Sequence, residues 1–181
     1  MSENTAEKQT THSHSFETDV SRLLDIVANA LYSNRDVFLR ELISNAADAC
    51  DRLRYEAIQN KDLKSDNQPF EIHISIDRDN QTLTLRDNGI GMNQEDLIQN
   101  LGTIARSGTA AILDNLKAQG QEKDVSLIGQ FGVGFYASFM VADKVTVISR
   151  KAGMEGAYKW ESDGRSGYDL MAATNKESEV L

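Results

Sequence analysis

Glu41-Leu42-Ile43-Ser44-Asn45-Ala46-Ala47-Asp48-Ala49, followed shortly by Arg52, is the stretch on which the reading of this chain turns. At about 100° per residue, Glu41, Asn45, Asp48 and Arg52 fall within roughly a 60° arc of one helix face. The rest of the segment is built of Leu, Ile, Phe and Ala. A carboxylate one turn before a carboxamide can hold a water beside a metal-bound phosphate. The solvated face of any amphipathic helix carries a similar stripe, so the pattern alone leaves both readings open.

Outward from this segment, Ser33 or Asn34 is placed to cap the helix, and its pattern runs to about Gln59. Upstream, Phe16, Val20, Leu23, Leu24, Val27 and Leu31 recur at helical spacing and predict a first helix to about Tyr32. Residues 1 to 15 are rich in Thr, Ser and His without periodicity and read as a disordered tail, in which His12-x-His14 does not by itself make a metal site. After the only proline, Pro69, the period changes from that of a helix to that of a strand. Phe70, Ile72, Ile74 and Ile76 alternate with polar residues, Arg78-Asp79-Asn80 makes a turn, and Leu83 and Leu85 resume the alternation up to Asp87. This predicts an antiparallel hairpin with one buried face.

Asn93, with Asp96 three residues on, predicts a capped short helix to about Leu101. Of the 12 glycines, 8 lie between Gly89 and Gly134, so backbone freedom is concentrated there; one short helical pattern, from about Thr109 to Leu116, interrupts the segment. A helix from Phe135 to Val141 and strands over 144–149, 157–161 and 168–172 follow. Glu179-Val180-Leu181 reads as a strand cut short, which predicts a fragment of a longer protein.

The length and an apolar fraction of 40% allow one good core. A formal charge of -9 disfavours unspecific attraction to nucleic acid or to anionic membranes. Phosphate must therefore be held by local geometry. A single cysteine, Cys50, excludes an intrachain disulfide, and no apolar run of membrane-spanning length or secretory signal is seen, so a cytoplasmic protein is expected.

Two further motifs carry chemistry. Asp87-Asn88-Gly89-Ile90-Gly91 places a carboxylate at a strand end beside bare backbone, where it can accept a hydrogen bond from an amino group such as that of adenine; it is also an ordinary turn sequence. Gly129-Gln130-Phe131-Gly132-Val133-Gly134-Phe135 precedes an apolar helical pattern, and such backbone can cradle phosphate at a helix N-terminus or serve as a plain linker. It is neither a Walker loop nor a dinucleotide fingerprint.

Taken together and in this order, the three motifs resemble the nucleotide-binding domain of the heat-shock protein ninety chaperone family, particularly its bacterial branch. Leu31-Tyr32-Ser33-Asn34, Phe38 to Ala46, Asp87 to Met92, Leu101 to Ala105, Ser107-Gly108-Thr109 and Ile128 to Tyr136 carry the likeness, which covers about residues 16 to 181. It implies an α/β two-layer sandwich, the Bergerat fold of histidine kinase-like ATPases, with helices on one face of a mixed, mostly antiparallel sheet. It implies ATP or ADP as ligand, Mg²⁺ held by Asn45, and Glu41 as the residue that orients and deprotonates the attacking water. Asp87 would bond adenine, Asp48 would give the pocket polarity or hold a bound water, and Gly91, Met92, Asn100, Leu101 and Phe135 would line it. Gly129 to Gly134 would meet the phosphates, and residues 102–134 would form a lid.

The resemblance further implies client proteins, ATP-competitive inhibitors and a homodimer for the longer protein, with a monomeric, slowly hydrolysing fragment. Arg106 stands where the family usually has Lys, which turns a point donor into a planar fork for phosphate. Glu177-Ser178 replaces the usual Gly-Thr, though the Ser178 hydroxyl keeps the chemistry needed to reach adenine. Cys50 is expected to pack in the core. A related ATPase domain of a type II topoisomerase or mismatch-repair protein, and a nucleotide-binding switch without turnover, are the alternative readings.

Overall fold

Three of the elements that frame the glycine motifs owe their form to apolar spacing. The first is α1, Val37–Gln59, in which Val37, Ala46, Cys50 and Leu53 are buried while Asn45, Asp48 and Arg52 are exposed. The computed structural model describes residues 11–14, 36–63, 68–102, 134–165 and 167–178. The expected helices over 16–32 and 109–116, and the caps at Ser33 and Asn34, lie outside these described residues.

The second element is the hairpin of β2, Ile72–Asp77, and β3, Thr82–Asp87. Its register sets Ile74 opposite Leu85 and Ile76 opposite Leu83, so the apolar residues share one face as the alternation predicts. That face is not buried, however. Ile76 is 68% exposed, Ile74 and Leu83 are also exposed, and only Ile72 and Leu85 nearer the α1 end are partly covered. Among the described residues α1 packs most extensively against residues 134–140 and meets the hairpin mainly through β3, while the turn end of the hairpin stays exposed.

The third is α2, Gln94–Leu101, which begins with a complete capping box: the Asn93 side chain accepts from the Asp96 N–H at 2.8 Å, and the Asp96 carboxylate accepts from the Asn93 N–H at 3.1 Å. Leu97 and Leu101 leave the same side of this helix and enter the core.

A four-stranded antiparallel sheet in the order β1-β6-β5-β4 supports that core. It comprises β1, His12–His14; β4, Val145–Arg150; β5, Ala157–Ser162; and β6, Tyr168–Ala172. Trp160 pairs with Leu170 across β5 and β6 and stacks on Tyr168 with ring centroids 5.6 Å apart. Leu97, Leu101, Trp160, Tyr168 and Leu170 form one buried cluster, flanked by Phe135 and Phe139. Helices packed on antiparallel sheets make an α/β sandwich, as the resemblance implies. Every pairing among the described residues is antiparallel, so the mixed character is not seen in them.

Two differences from the sequence reading have physical causes. His12–His14 lies within the expected tail, yet it is a strand on β6, with Ser13 bonded to Asp169 at 2.6 Å. Its partner is distant in sequence, so no local pattern announces it. The segment expected as a helix from Phe135 to Val141 is a 3₁₀ helix over Gly134–Met140. Its tighter winding eclipses residues three apart, and Tyr136 and Phe139 lie together with ring centroids 6.4 Å apart. At the C-terminal end, α3 covers Asn175–Ser178, while Glu179 to Leu181 lie outside the described residues.

Candidate functional site

Helix α1 touches both glycine motifs, and the intervening turns carry the polar stripe. Near its start, the bare backbone of Gly134 lies against the Glu41 side chain, where an added Cβ would overlap the carboxylate oxygen Oε2. Two turns on, the Ile90 N–H donates to the Ala49 carbonyl at 3.0 Å, and an added Cβ on Gly89 would meet the Ala49 and Cys50 backbone. Eight residues separate Glu41 from Ala49, about 12 Å along the axis. Asn45 and Asp48 stand on this interval and are exposed; Glu41 is partly buried.

Asp87 ends β3 and turns back to accept the Gly89 N–H at 2.9 Å. Burial raises its pKa, and the Gly89 hydrogen bond opposes this only in part. Such a carboxyl, half withdrawn from water and with acceptor capacity left over, suits a neutral amino donor. Gly91 has φ of +64°, and a Cβ there would overlap the Arg150 carbonyl oxygen, so both conformation and space require glycine. Asn100 Nδ2 reaches Met92 Sδ at 3.8 Å, and the Leu101 carbonyl accepts the Tyr136 hydroxyl at 2.6 Å. Phe135, immediately after Gly134, meets Trp160 edge to face at 5.6 Å. One side of the site is thus joined to the aromatic core.

The structure therefore sets Glu41 against Gly134 and, through Gly89 and Ile90, the loop that carries Asp87, Gly91 and Met92 against α1 at Ala49; Asn100 meets Met92, Leu101 bonds Tyr136, and Phe135 packs on Trp160. Arg106 and Gly129, Gln130, Phe131, Gly132 and Val133 lie outside the described residues, as does the expected lid except for Gly102 and Gly134 at its ends. Ser178 is engaged within α3, where its hydroxyl donates to the Thr174 carbonyl at 2.9 Å; among the described residues no hydrogen bond joins it to the site. Arg52, without a role in the sequence reading, is close enough to Asp96 for its charge to act on that carboxylate.

Several residues that build the site were not assigned to it by sequence. Asn88 accepts the Glu71 N–H at 2.8 Å and donates to the Pro69 carbonyl at 2.7 Å, fastening the loop to the start of β2. Cys50, buried and free, donates its thiol to the same Asn88 oxygen at 4.0 Å, and burial, with the Asp87 charge next, raises its pKa. A thiol so placed is unreactive and packs the core. Tyr136 joins the two sides of the aromatic cluster, and burial of its hydroxyl, with the neighbouring Tyr168, pushes its pKa well up. Ser149 accepts the Met92 N–H at 2.8 Å. Its signal lay in the alternation Val145, Val147, Ser149, which puts a hydroxyl on the inward face of β4.

Comparisons with known proteins point to one family. Residues 32–179 match the family model described as histidine kinase-, DNA gyrase B-, and HSP90-like ATPase. The chain is 57% identical over 162 residues to chaperone protein HtpG of Rickettsia typhi, covering 90% of this chain and 26% of that protein. It is 54% identical over 164 residues to HtpG of Roseobacter denitrificans (91% and 26%) and 58% identical over 158 residues to HtpG of Rhodospirillum rubrum (86% and 25%). The chain spans about a quarter of the length of these curated relatives.

Proposed function

This chain belongs to the histidine kinase-, DNA gyrase B- and HSP90-like ATPase family, and we propose that it is the nucleotide-binding, ATP-hydrolysing domain of an HtpG-type molecular chaperone. The observation that carries the reading is the contact of one helix with both glycine motifs. It sets an amino-accepting carboxyl, Asp87, at one end of an exposed polar interval and a carboxylate facing bare backbone, Glu41, at the other.

Adenine occupies the Asp87 end, against Gly91, Met92, Asn100 and Leu101, with Phe135 beyond, and the phosphates run along Asp48 and Asn45 toward Glu41 and Gly134. No cluster of three or more His, Cys, Asp or Glu suited to a metal occurs among the described residues. Mg²⁺ does not need such a cluster, because it is commonly held by one or two protein oxygens together with substrate phosphates. The Asn45 carboxamide supplies such an oxygen, and the ion contributes neutralisation of phosphate charge. Phosphoryl transfer to water asks the protein chiefly for positioning. Glu41 lies one helical turn from Asn45, holds the attacking water and accepts its proton.

Client proteins, a homodimer and a cytoplasmic setting belong to the longer chaperone. Among the described residues no helix is long and apolar enough to cross a membrane.

Two variants test the reading. Glu41→Ala should bind ATP within about threefold of the parent chain while turnover falls at least about a hundredfold. Binding without any Glu41-dependent turnover would instead favour a nucleotide-sensing switch. Asp87→Asn should lose ADP binding in calorimetry because an amide nitrogen replaces one acceptor; unchanged affinity would remove the adenine assignment.

A further inference from the structure

We infer that Ser149, on a strand 57 residues beyond Met92 in sequence, is a positioning residue that sets the adenine end of the site through the backbone of Met92. The inference rests on the adenine assignment above. Loop 88–93 connects Asp87 to Met92 and to the capped start of α2, and the end of β4 is fastened to it at successive points. The Ser149 hydroxyl accepts the Met92 N–H at 2.8 Å. The Ala152 N–H donates to the Ile90 carbonyl at 2.8 Å, and Lys151 Nζ bonds Asp96 Oδ2 at 2.9 Å. Between them the Arg150 carbonyl is pressed against Gly91.

These fastenings are unequal. The Ala152 bond is backbone to backbone and survives any substitution of its side chain other than proline, which has no N–H. Lys151 and Asp96 are both partly open to solvent, where an ion pair contributes little. Ser149 is 8% exposed, and its hydroxyl is the side-chain acceptor for the Met92 N–H. It also sits in register with Tyr158 on β5, so it is held by the rigid sheet. Loss of that acceptor leaves a part-buried N–H to find another partner, and Met92 must shift to do so. Asp87 and Met92 would then no longer be held in one preset geometry, and nucleotide binding must supply the ordering.

The test separates the hydroxyl from the volume it fills. Ser149→Cys is nearly isosteric but a poor acceptor; Ser149→Thr adds a methyl and keeps the hydroxyl. In the 181-residue chain, calorimetry with ADP should show binding about tenfold weaker for Ser149→Cys and within about threefold of the parent for Ser149→Thr. The Met92 amide resonance in a ¹⁵N-labelled sample should move upfield in the Cys variant and stay near its parental position in the Thr variant. Parental ADP affinity in Ser149→Cys overturns the inference, even with a lowered melting temperature, because that result marks a purely structural residue. Equal weakening by Cys and Thr also overturns it, since packing would then be the cause. Asp87→Asn measured alongside distinguishes the two levels: if it binds ADP normally the adenine assignment has failed, whereas loss there with normal binding by Ser149→Cys removes only the role of Ser149.

Discussion

Burial of the Asp87 carboxyl sets function against stability at a single residue. Its folded-state pKa is raised above the unfolded value, chiefly by burial. The stability it contributes is therefore fully present below the unfolded pKa and lost as pH rises through the folded one. Above its unfolded pKa the unliganded fold therefore carries the cost of either ionising a partly desolvated carboxyl or keeping it protonated. Asp87→Asn keeps an oxygen for the Gly89 N–H and removes the charge. The unliganded variant should therefore melt above the parent at about pH 7, and the gap should close by about pH 3, where the parent carboxyl is also neutral. Thermal melts across that range check the sign. The same substitution is expected to lose ADP, so the group most useful to a ligand is the one the empty fold would do better without.

At the scale of elements, α2 shows a helix whose ends both serve the site. Its first turn is closed by the Asn93 and Asp96 box, and Asp96 is shared with Lys151. Burial works against ionising Asp96, but the Lys151 hydrogen bond, the Asn93 N–H and the nearby positive charges outweigh it and hold its pKa below the usual range. Its last turn presents Asn100 and the Leu101 carbonyl. Asn93→Ala should lower unfolding stability by about 1 kcal/mol in urea denaturation, the usual cost of losing such a cap. A matching box occurs at α3, where Glu177 accepts from both the backbone and the hydroxyl of Thr174 and pairs with Lys159. These bonds take its pKa down to about 2. Glu177 thus favours the fold above its unfolded pKa, and that contribution fades as pH falls toward about 2.

For the molecule as a whole, the cluster of Leu97, Leu101, Trp160, Tyr168 and Leu170 couples the glycine-flanked helix to the sheet. Leu97 is fully buried, and Leu97→Ala should cost about 2–5 kcal/mol through lost burial and the cavity left behind. Against a typical total of about 5–15 kcal/mol, that is a large share. Trp160 is the only tryptophan, so its fluorescence follows unfolding, and the urea midpoint should fall with little change in slope. A midpoint near that of the parent would mean that this cluster does not hold the site to the sheet.

Residue pattern by itself determined the bounds of α1 within a few positions, the β2 and β3 alternation, the Asn93 cap and the order of the three motifs, because each is a repeat or an end signal shorter than about two dozen residues. It also offers Glu41, Asn45, Asp48 and Asp87 as a candidate set, through the likeness of those motifs to one family. Only the tertiary structure decided that Gly134 lies on Glu41, that Ile90 and Gly89 lie on Ala49, that Ser149 holds Met92, and that His12–His14 joins β6. It likewise decided that the turn end of the hairpin's apolar face, at Ile74, Ile76 and Leu83, stays exposed, although its alternation predicts burial. Periodicity reports which residues share a face. Which other face meets it depends on chain segments tens to more than a hundred residues apart, and a local pattern holds no term for that encounter.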